Sequence, residues 1–307
     1  MLWPSLKFMS GGLDMNTGEI SVVVRARRRL SREAGKFFAR FVVCYYWIFN
    51  RYSRRNIVME GGPTVSLTTH GKRANTVFCT IESIGRGSCM AGRVVLWLDD
   101  LRILENLPDS LKRLQRRGLE ILLSENFGPH TKYFPMLEAG NLPEVLVTAD
   151  DDILYPKYWL SKLKMENRCS PDAIVCYRAH RVDVSEAGIG PYNAWKPCRT
   201  QEASFLNFAT GVSGVIYPRR FLECLKAEGK GFRDCAPKAD DVWLYVMAMR
   251  NGFKVRQINR RPIHFLTHPA SQDVALHNEN GIRGGNDFQI ERTCTDNDVD
   301  FLRSIGG

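Results

Sequence analysis

The stretch Glu144-Val-Leu-Val-Thr-Ala-Asp-Asp-Asp-Ile-Leu-Tyr-Pro156 decides how the rest of this chain is organised. Its apolar run from Val145 to Val147 is typical of a short buried strand, and the tyrosine-proline pair at its end turns the chain away. Three consecutive carboxylates follow the strand directly: Asp150, Asp151 and Asp152. Open α/β sheets place ligand chemistry outside the carboxyl ends of their strands, so this position favours a binding site.

Adjacent acids repel one another unless a cation or hydrogen-bond donors neutralise them. In extended backbone Asp150 and Asp152 point the same way, so both can offer oxygen ligands to one hard cation. A solvated acidic turn is the alternative interpretation. The strand before the acids and the proline after them favour the ligand site.

Composition places the chain among globular proteins. It has 307 residues, 44% hydrophobic and 25% charged, which predicts one main domain with an appended segment. The net charge of +10 is concentrated between residues 25 and 55, where ten arginines and lysines are offset only by Glu33. No recognisable nucleic-acid-binding module accompanies this block, so we expect no nucleic acid partner. The nine cysteines form no C-x-x-C pair, and we expect reduced, buried thiols in a cytosolic protein.

The N-terminal segment, residues 1–60, is basic and aromatic. A helix is predicted from about Leu30 to Tyr52, with an apolar centre from Phe37 to Phe49 that also contains Arg40. Thirteen residues make about 20 Å of helix, too short for a hydrocarbon core of about 30 Å. Aromatic residues with flanking arginines are typical of a helix that lies in the headgroup region of an anionic membrane. The alternative is a helix packed on the protein's own core.

The main domain, residues 61–307, begins after the turn at Glu60-Gly-Gly-Pro63. Strands alternate with helices through its first half, which implies a largely parallel sheet. The predicted strands are 64–69, 93–98, 119–123, 145–147, 173–177 and 253–258, and residues 209–218 are predicted to join a glycine turn to a further strand. The predicted helices are 75–85, 111–118, 131–139, 157–167 and 238–251. Residues 192–208 and 278–288 are predicted to be loops, the second able to close over a ligand.

The acidic stretch resembles the D-x-D motif of GT-A-type glycosyltransferases, and the resemblance runs from Pro63 to Phe265 as an ordered series of segments. It is closest to the family 2 type of bacterial surface polysaccharide synthesis. The resemblance implies a Rossmann-like α/β/α sandwich that binds a nucleotide-sugar, usually a UDP-sugar, with Mn²⁺ or Mg²⁺. The metal would be held by Asp150 and Asp152, and a later histidine often completes such a site. His264 is the candidate, with His268 as the alternative.

Contacts to the donor come, by the same resemblance, from several separate segments. The loop after the first strand offers a glycine and two cations, which suit a base and phosphates. The pair Asp99-Asp100 either contacts the nucleotide or caps the next helix. The full set of donor-binding candidates is Thr69, His70, Lys72, Arg73, Asp99, Lys132, Asp150, Asp151, Gly211 and Gly214.

A second acidic pair, Asp240-Asp241, opens the predicted helix that ends near Asn251. Acids at a helix N-terminus can simply satisfy its free N–H groups. In GT-A enzymes, however, a Glu-Asp pair at this place presents the base that deprotonates the acceptor. Asp241 takes the position of that base, and the aspartate at 240 departs from the pattern, which leaves open which residue acts.

The resulting hypothesis is a metal-dependent, inverting glycosyltransferase acting on a saccharide or lipid-linked acceptor in surface polysaccharide or glycolipid synthesis. We expect it to be cytoplasmic and peripheral on the inner face of the cell membrane. Two alternatives stay open. A nucleotidyltransferase also uses acidic metal sites beside a nucleotide-binding sheet, and a catalytically silent scaffold could retain the same fold.

Overall fold

The computed structural model describes residue 35, residues 37–271 and residues 285–306. The predicted donor-closing loop therefore lies largely outside the described residues. All nine cysteines are free thiols. Cys79, Cys176 and Cys198 are buried as expected, whereas Cys44 and Cys169 are exposed, so the prediction of buried thiols is wrong for those two.

The strands in chain order are β1 (Thr64–Thr69), β2 (Arg93–Leu98), β3 (Leu119–Leu123), β4 (Val145–Thr148), β5 (Ile153–Leu154), β6 (Ile174–Cys176), β7 (Ala179–Arg181), β8 (Val184–Ser185), β9 (Gly188–Ile189), β10 (Lys196–Pro197), β11 (Asn207–Ala209), β12 (Val215–Pro218), β13 (Val255–Gln257) and β14 (Leu266–Thr267). The α-helices are α1 (37–52), α2 (Val77–Gly85), α3 (Leu101–Glu105), α4 (Asp109–Gln115), α5 (Phe134–Glu138), α6 (Trp159–Cys169), α7 (Arg219–Glu228), α8 (Phe232–Cys235), α9 (Asp240–Arg250), α10 (Gly285–Thr293) and α11 (Asp296–Gly306).

Seven strands form the central sheet in the order β13-β6-β12-β4-β1-β2-β3. Neighbouring strands are parallel except at β12, which runs antiparallel to both β4 and β6. The predicted α/β fold with a mainly parallel central sheet is confirmed. Because β1 and β4 are parallel neighbours, their carboxyl ends meet at one edge of the sheet.

The sheet is covered on both faces by two apolar cores. Strand β2 shows this directly. Val94, Leu96 and Leu98 belong to one apolar core, whereas Val95 and Trp97 belong to the core on the opposite face. Successive side chains of a strand point to opposite faces, so one strand contributes to both layers of an α/β/α sandwich.

Several element predictions need correction. The predicted helix 131–139 is divided into a 3-10 helix, Gly128–Lys132, and α5, because Tyr133 between them has a non-helical φ of −134°. Residues 192–208 are only partly a loop, since β10 and β11 lie within or at the end of this segment and pair with β7. Strands of two or three residues are too short to produce a readable periodicity.

Helix α1 packs one face on the domain. Val42, Val43 and Tyr46 contact the core on the α2 side, and the buried side-chain amide of Asn50 donates to Glu82 Oε1 at 2.9 Å. The packing alternative is therefore correct for this face. Among the described helices none combines the length and apolar content needed to cross a bilayer.

Candidate active site

The three acids after β4 lie against the end of β1. Thr69, the last residue of β1, donates its hydroxyl to Asp151 Oδ2 at 2.6 Å. Arg73 follows in the 3-10 helix Gly71–Asn75, and its Nη2 lies 2.7 Å from both Asp151 Oδ1 and Asp152 Oδ2. Adjacent parallel strands thus bring a hydroxyl and a guanidinium to the acids, which is how this edge limits their mutual repulsion.

Asp151 is the buried member of the three. Burial raises its pKa above the ordinary value, while the Arg73 guanidinium and the Thr69 hydroxyl oppose that shift. Its backbone oxygen also accepts a 2.9 Å hydrogen bond from Thr80 Oγ1 on α2. Asp150 and Asp152 retain more accessible surface. Asp151 therefore anchors the turn, and its two neighbours are the acids that can reach a ligand.

Lys132 joins the two acidic motifs. Its Nζ lies 3.6 Å from Asp150 Oδ1 and 2.9 Å from Asp240 Oδ2, at the start of α9. Burial lowers the pKa of this lysine, but the charges of Asp240, Asp150 and Asp241 outweigh burial and hold the pKa well above its ordinary value. Lys132 is consequently a fixed positive charge between acids that are about ninety residues apart in sequence.

Asp241 has a different environment from Asp240. Its Oδ1 accepts a 2.8 Å hydrogen bond from the backbone N–H of Gly211. Burial and the nearby charge of Asp240 raise the pKa of Asp241 to about 7, although Lys132 and the Gly211 N–H act in the opposite direction. The residue nevertheless keeps part of its surface accessible. A carboxyl group that titrates near neutral pH and can be reached is suited to accept a proton.

The glycine turn after β11 divides into two parts with different surroundings. A Cβ on Gly211 would lie 2.7 Å from Lys132 Nζ and 3.1 Å from Asp241 Oδ1, so a larger residue would have to displace both groups. Gly214 has a φ of +99°, and a Cβ there would lie 2.7 Å from the Trp159 indole nitrogen. Gly211 is therefore part of the acidic site, whereas Gly214 packs against α6.

A cavity of about 380 Å³ opens beside these groups. It is lined by Thr68, His70, Arg73, Asp99, Asn126, Gly128, Pro129, Thr131, Lys132, Ala149, Asp150, Asp151, Pro237 and Lys238. Lys72 is exposed on the 3-10 helix and is not part of this lining. The two acids after β2 have separate positions, since Asp99 lines the cavity while Asp100 caps α3 by accepting from the Arg102 N–H at 2.9 Å.

The two candidate histidines lie in different places. The backbone N–H of His268 donates to the backbone carbonyl oxygen of Asp152 at 2.7 Å, as β14 pairs with β5. His264 is exposed, and burial together with the Arg178 charge lowers its pKa. The geometry thus brings His268 rather than His264 next to the backbone of the acidic turn. Over the described residues no group of three or more histidine, cysteine or acidic side chains has the arrangement of a metal site.

Sequence reasoning missed several participants. Asn126 and Pro237 line the cavity from loops that carry no motif, and Tyr155 accepts a 2.9 Å hydrogen bond from the Asp150 N–H. The sequence could have indicated Tyr155, because this residue follows the three acids by only a few positions. For the loop residues it gave no such indication, since their place depends on how β3 and α8 pack.

No protein-family model matches the sequence, and neither does any curated protein. Among solved structures the chain is similar to S. aureus TarS 1–349, with 16% identity and a TM-score of 0.42 over 64% of this chain and 58% of that one. A mannosyltransferase from Pyrobaculum calidifontis in complex with GDP-Man and Mn²⁺ gives 17% identity and a TM-score of 0.44, over 74% and 64%. A CMP:2-keto-3-deoxy-manno-octonic acid synthetase complexed with CTP gives 11% identity and 0.39, over 64% and 88%. These likenesses are partial, so the activity has to be argued from the site's own residues.

Proposed function

We propose that this protein is a metal-dependent, inverting glycosyltransferase that moves a sugar from a UDP-sugar to a hydroxyl group of a saccharide or lipid-linked acceptor. The observation that carries the proposal is the contact of Lys132 with both Asp150 and Asp240. Through it, the acids suited to a leaving diphosphate and the acids suited to an acceptor hydroxyl form one network. Asp150 lines the large cavity, whereas Asp241 lines a separate small pocket of about 10 Å³.

Asp150 and Asp152 are the residues that would hold a divalent metal. Mg²⁺ is commonly bound by one or two carboxylates, with substrate phosphates and waters completing its oxygen ligands, so two carboxylates fit such an ion. Among the described residues, ion pairs of the network join four carboxylates to two cations, Arg73 and Lys132. Four carboxylates around these two cations are compatible with a further cation at the acidic turn. When bound, the metal supplies Lewis-acid stabilisation of charge on the leaving diphosphate.

Asp241 is the proposed base. As the acceptor oxygen forms its bond to the anomeric carbon, the hydroxyl proton passes to a carboxylate oxygen of Asp241. The bond from the anomeric carbon to the phosphate oxygen breaks at the same time, and its electron pair leaves with UDP. One displacement at the carbon gives inversion. Asp240 is less suited to this role because its carboxylate is paired with Lys132.

Lys132 and Arg73 position the acids rather than react. Lys132 places a positive charge between Asp150 and Asp240. Arg73 bridges Asp151 and Asp152, with its Nη2 at 2.7 Å from each carboxylate. Both side chains also line the cavity, where they can meet donor phosphates. His70 and Asp99 also line the cavity, and we propose that they contact the nucleoside of the donor.

The test is product analysis with Mn²⁺ and a panel of UDP- and GDP-sugars. Wild-type protein should release UDP, and Asp152→Ala should abolish that release. Asp172→Ala is the matched control, because Asp172 is an exposed acid paired with Arg220 outside the network. Release of pyrophosphate from a nucleoside triphosphate would instead identify a nucleotidyltransferase, and full activity in Asp152→Ala would overturn the metal assignment.

The acceptor class and the location follow from the same proposal. A lipid-linked acceptor would have its hydroxyl close to a membrane, and we propose that the protein works at the cytoplasmic face in surface polysaccharide or glycolipid synthesis. Activity with a membrane extract, and its absence after the extract is depleted of lipid, would support this class of acceptor. Equal activity with a soluble saccharide alone would argue for a saccharide acceptor.

A further inference from the structure

Helix α1 exposes apolar residues on the face that points away from the domain. At 3.6 residues per turn, five of its residues fall within an arc of roughly 80°. They are Phe37, Phe41, Tyr45, Ile48 and Tyr52, and all are exposed, Phe41 to 60% and Tyr52 to 76%. We call these five residues the aromatic stripe.

The opposite face of α1 accounts for its attachment to the domain. Asn50 is buried, and the Phe49 ring lies 4.0 Å from the Arg86 guanidinium carbon. A surface helix of a globular protein normally turns polar residues outward once one face is packed. Here both faces are apolar. Tyr45 contacts the domain, with its ring centroid 5.1 Å from the Arg86 guanidinium carbon, but packing on the domain leaves the other four stripe residues without an explanation.

An arginine-lined cavity of about 450 Å³ lies at the end of the stripe. In the part of the chain described, its lining has no acidic side chain, and Tyr52 belongs to both the cavity and the stripe. Its arginines are Arg51, Arg54, Arg113, Arg116 and Arg117.

Two of these arginines have partners in the protein. Arg117 pairs with Glu82, and Arg113 donates to Asn50 Oδ1 at 2.9 Å. The other three, Arg51, Arg54 and Arg116, are exposed and form no ion pair within the described residues. Three exposed guanidinium groups around one cavity suit phosphate oxygens, which arginine binds through paired hydrogen bonds.

We propose that the aromatic stripe and the arginine-lined cavity form one docking surface for an anionic phospholipid leaflet. The rings would enter the boundary between headgroups and acyl chains, where aromatic residues are favoured. The cavity would receive lipid phosphate groups at the same level, because Tyr52 belongs to both parts. The occupant is a leaflet rather than another copy of the chain, since a second basic cavity would repel the first. The inference goes beyond the proposed reaction and does not depend on it.

The test is co-sedimentation of the full chain with phosphatidylcholine vesicles, with or without phosphatidylglycerol. Wild-type protein should bind the phosphatidylglycerol vesicles, and rising salt should weaken that binding. The triple variant R51Q/R54Q/R116Q should bind them roughly a hundredfold more weakly, since each basic residue at an anionic surface contributes about fivefold. The matched control is R168Q/R199Q/R260Q, which removes the same charge from exposed arginines outside the cavity and should bind like wild type.

The aromatic stripe is tested separately. F37S/F41S should lose vesicle binding even at low salt, whereas Phe288→Ser, at an exposed ring on α10, should not. Equal weakening in the two arginine triples would overturn the cavity's role, leaving a response to net charge only. Failure of the wild-type chain to prefer phosphatidylglycerol would overturn the proposal as a whole. A concentration-dependent dimer that F37S/F41S dissociates, without vesicle binding, would identify a second copy as the occupant.

Discussion

The active site and the arginine-lined cavity have opposite charge. In the active site, acids outnumber the cations that pair with them among the described residues, and Lys132 and Arg73 are each shared between two carboxylates. Around the cavity, arginines outnumber acids, and one carboxylate, Glu82, pairs with the buried Arg117. The difference indicates what each region lacks. The first has capacity for a cation, and the second has capacity for an anion.

The charged groups of these two regions also differ in burial. Glu82 and Arg117 are almost fully buried and bonded twice, with Arg117 Nη2 at 3.0 Å from Glu82 Oε2. Asn50 of α1 completes the arrangement by donating to Glu82. The charges at the acidic turn and on Arg51, Arg54 and Arg116, by contrast, remain accessible. The buried pair therefore holds α1 on the domain, and the accessible groups are available for ligands.

The largest effect is expected from breaking the buried pair. Glu82→Gln would leave the Arg117 charge buried without a counter-charge, which typically costs about 3–5 kcal/mol of unfolding free energy. Denaturant unfolding measures this cost. Glu120→Gln is the matched control, because Glu120 also pairs closely with an arginine, Arg93 at 2.7 Å, but in a partly exposed place. Its cost should be at most about 1 kcal/mol. Similar losses in both variants would mean that burial does not distinguish the pairs.

In the active site, replacing the proposed base should reduce turnover without reducing donor affinity. Asp241→Asn retains an oxygen that can accept from the Gly211 N–H but cannot accept the acceptor's proton. We expect turnover to fall roughly a hundredfold or more, the range of general-base catalysis, with donor affinity close to wild type. Turnover at saturating donor and donor binding by calorimetry are the two measurements. Normal turnover with poor donor binding would assign Asp241 to the donor and make Asp240 the base.

Titration of Asp241 should also make turnover depend on pH, with a smaller effect than the Asp241→Asn substitution. Burial and Asp240 raise the pKa of Asp241 to about 7, and only its deprotonated form can act as a base. Turnover should therefore increase as pH rises through about 7 and then level off. The rise should be absent from the residual turnover of Asp241→Asn. A turnover that falls over this pH range in the wild-type protein would contradict the proposed role.

Part of this arrangement could be predicted from sequence and part could not. Strands β1 and β2 occur at the predicted residues. In β2 a continuous apolar run reports burial on both faces of the sheet. In β1 the signal is β-branched composition, with Val65 and Leu67 alternating with threonine and serine. The acid at 100 could be read as a helix cap for a similar local reason. Such signals are contained within a few neighbouring residues.

The contacts of Lys132 and Arg73 could not be predicted in the same way. Both were candidates for donor phosphates, yet in the structure each connects acids from separate segments, and that follows from sheet order. The antiparallel β12 lies between β4 and β6, so the turn at Gly211 is brought next to Lys132. Nothing in the local sequence around either residue encodes that insertion.

The smallest expected effect concerns the acid pair after β2, where one acid is structural and its neighbour faces the cavity. Asp100→Ala removes the side-chain oxygen that accepts from the Arg102 N–H at the start of α3. Loss of a helix cap costs about 1 kcal/mol, so the unfolding free energy should fall slightly while turnover stays unchanged. Asp99→Ala should do the reverse, because Asp99 lines the cavity. Its stability should be close to wild type, and its apparent affinity for the donor should fall. Chemical unfolding and donor titration of both variants test the pair, and a donor defect in Asp100→Ala with none in Asp99→Ala would reverse the assignment of the two acids.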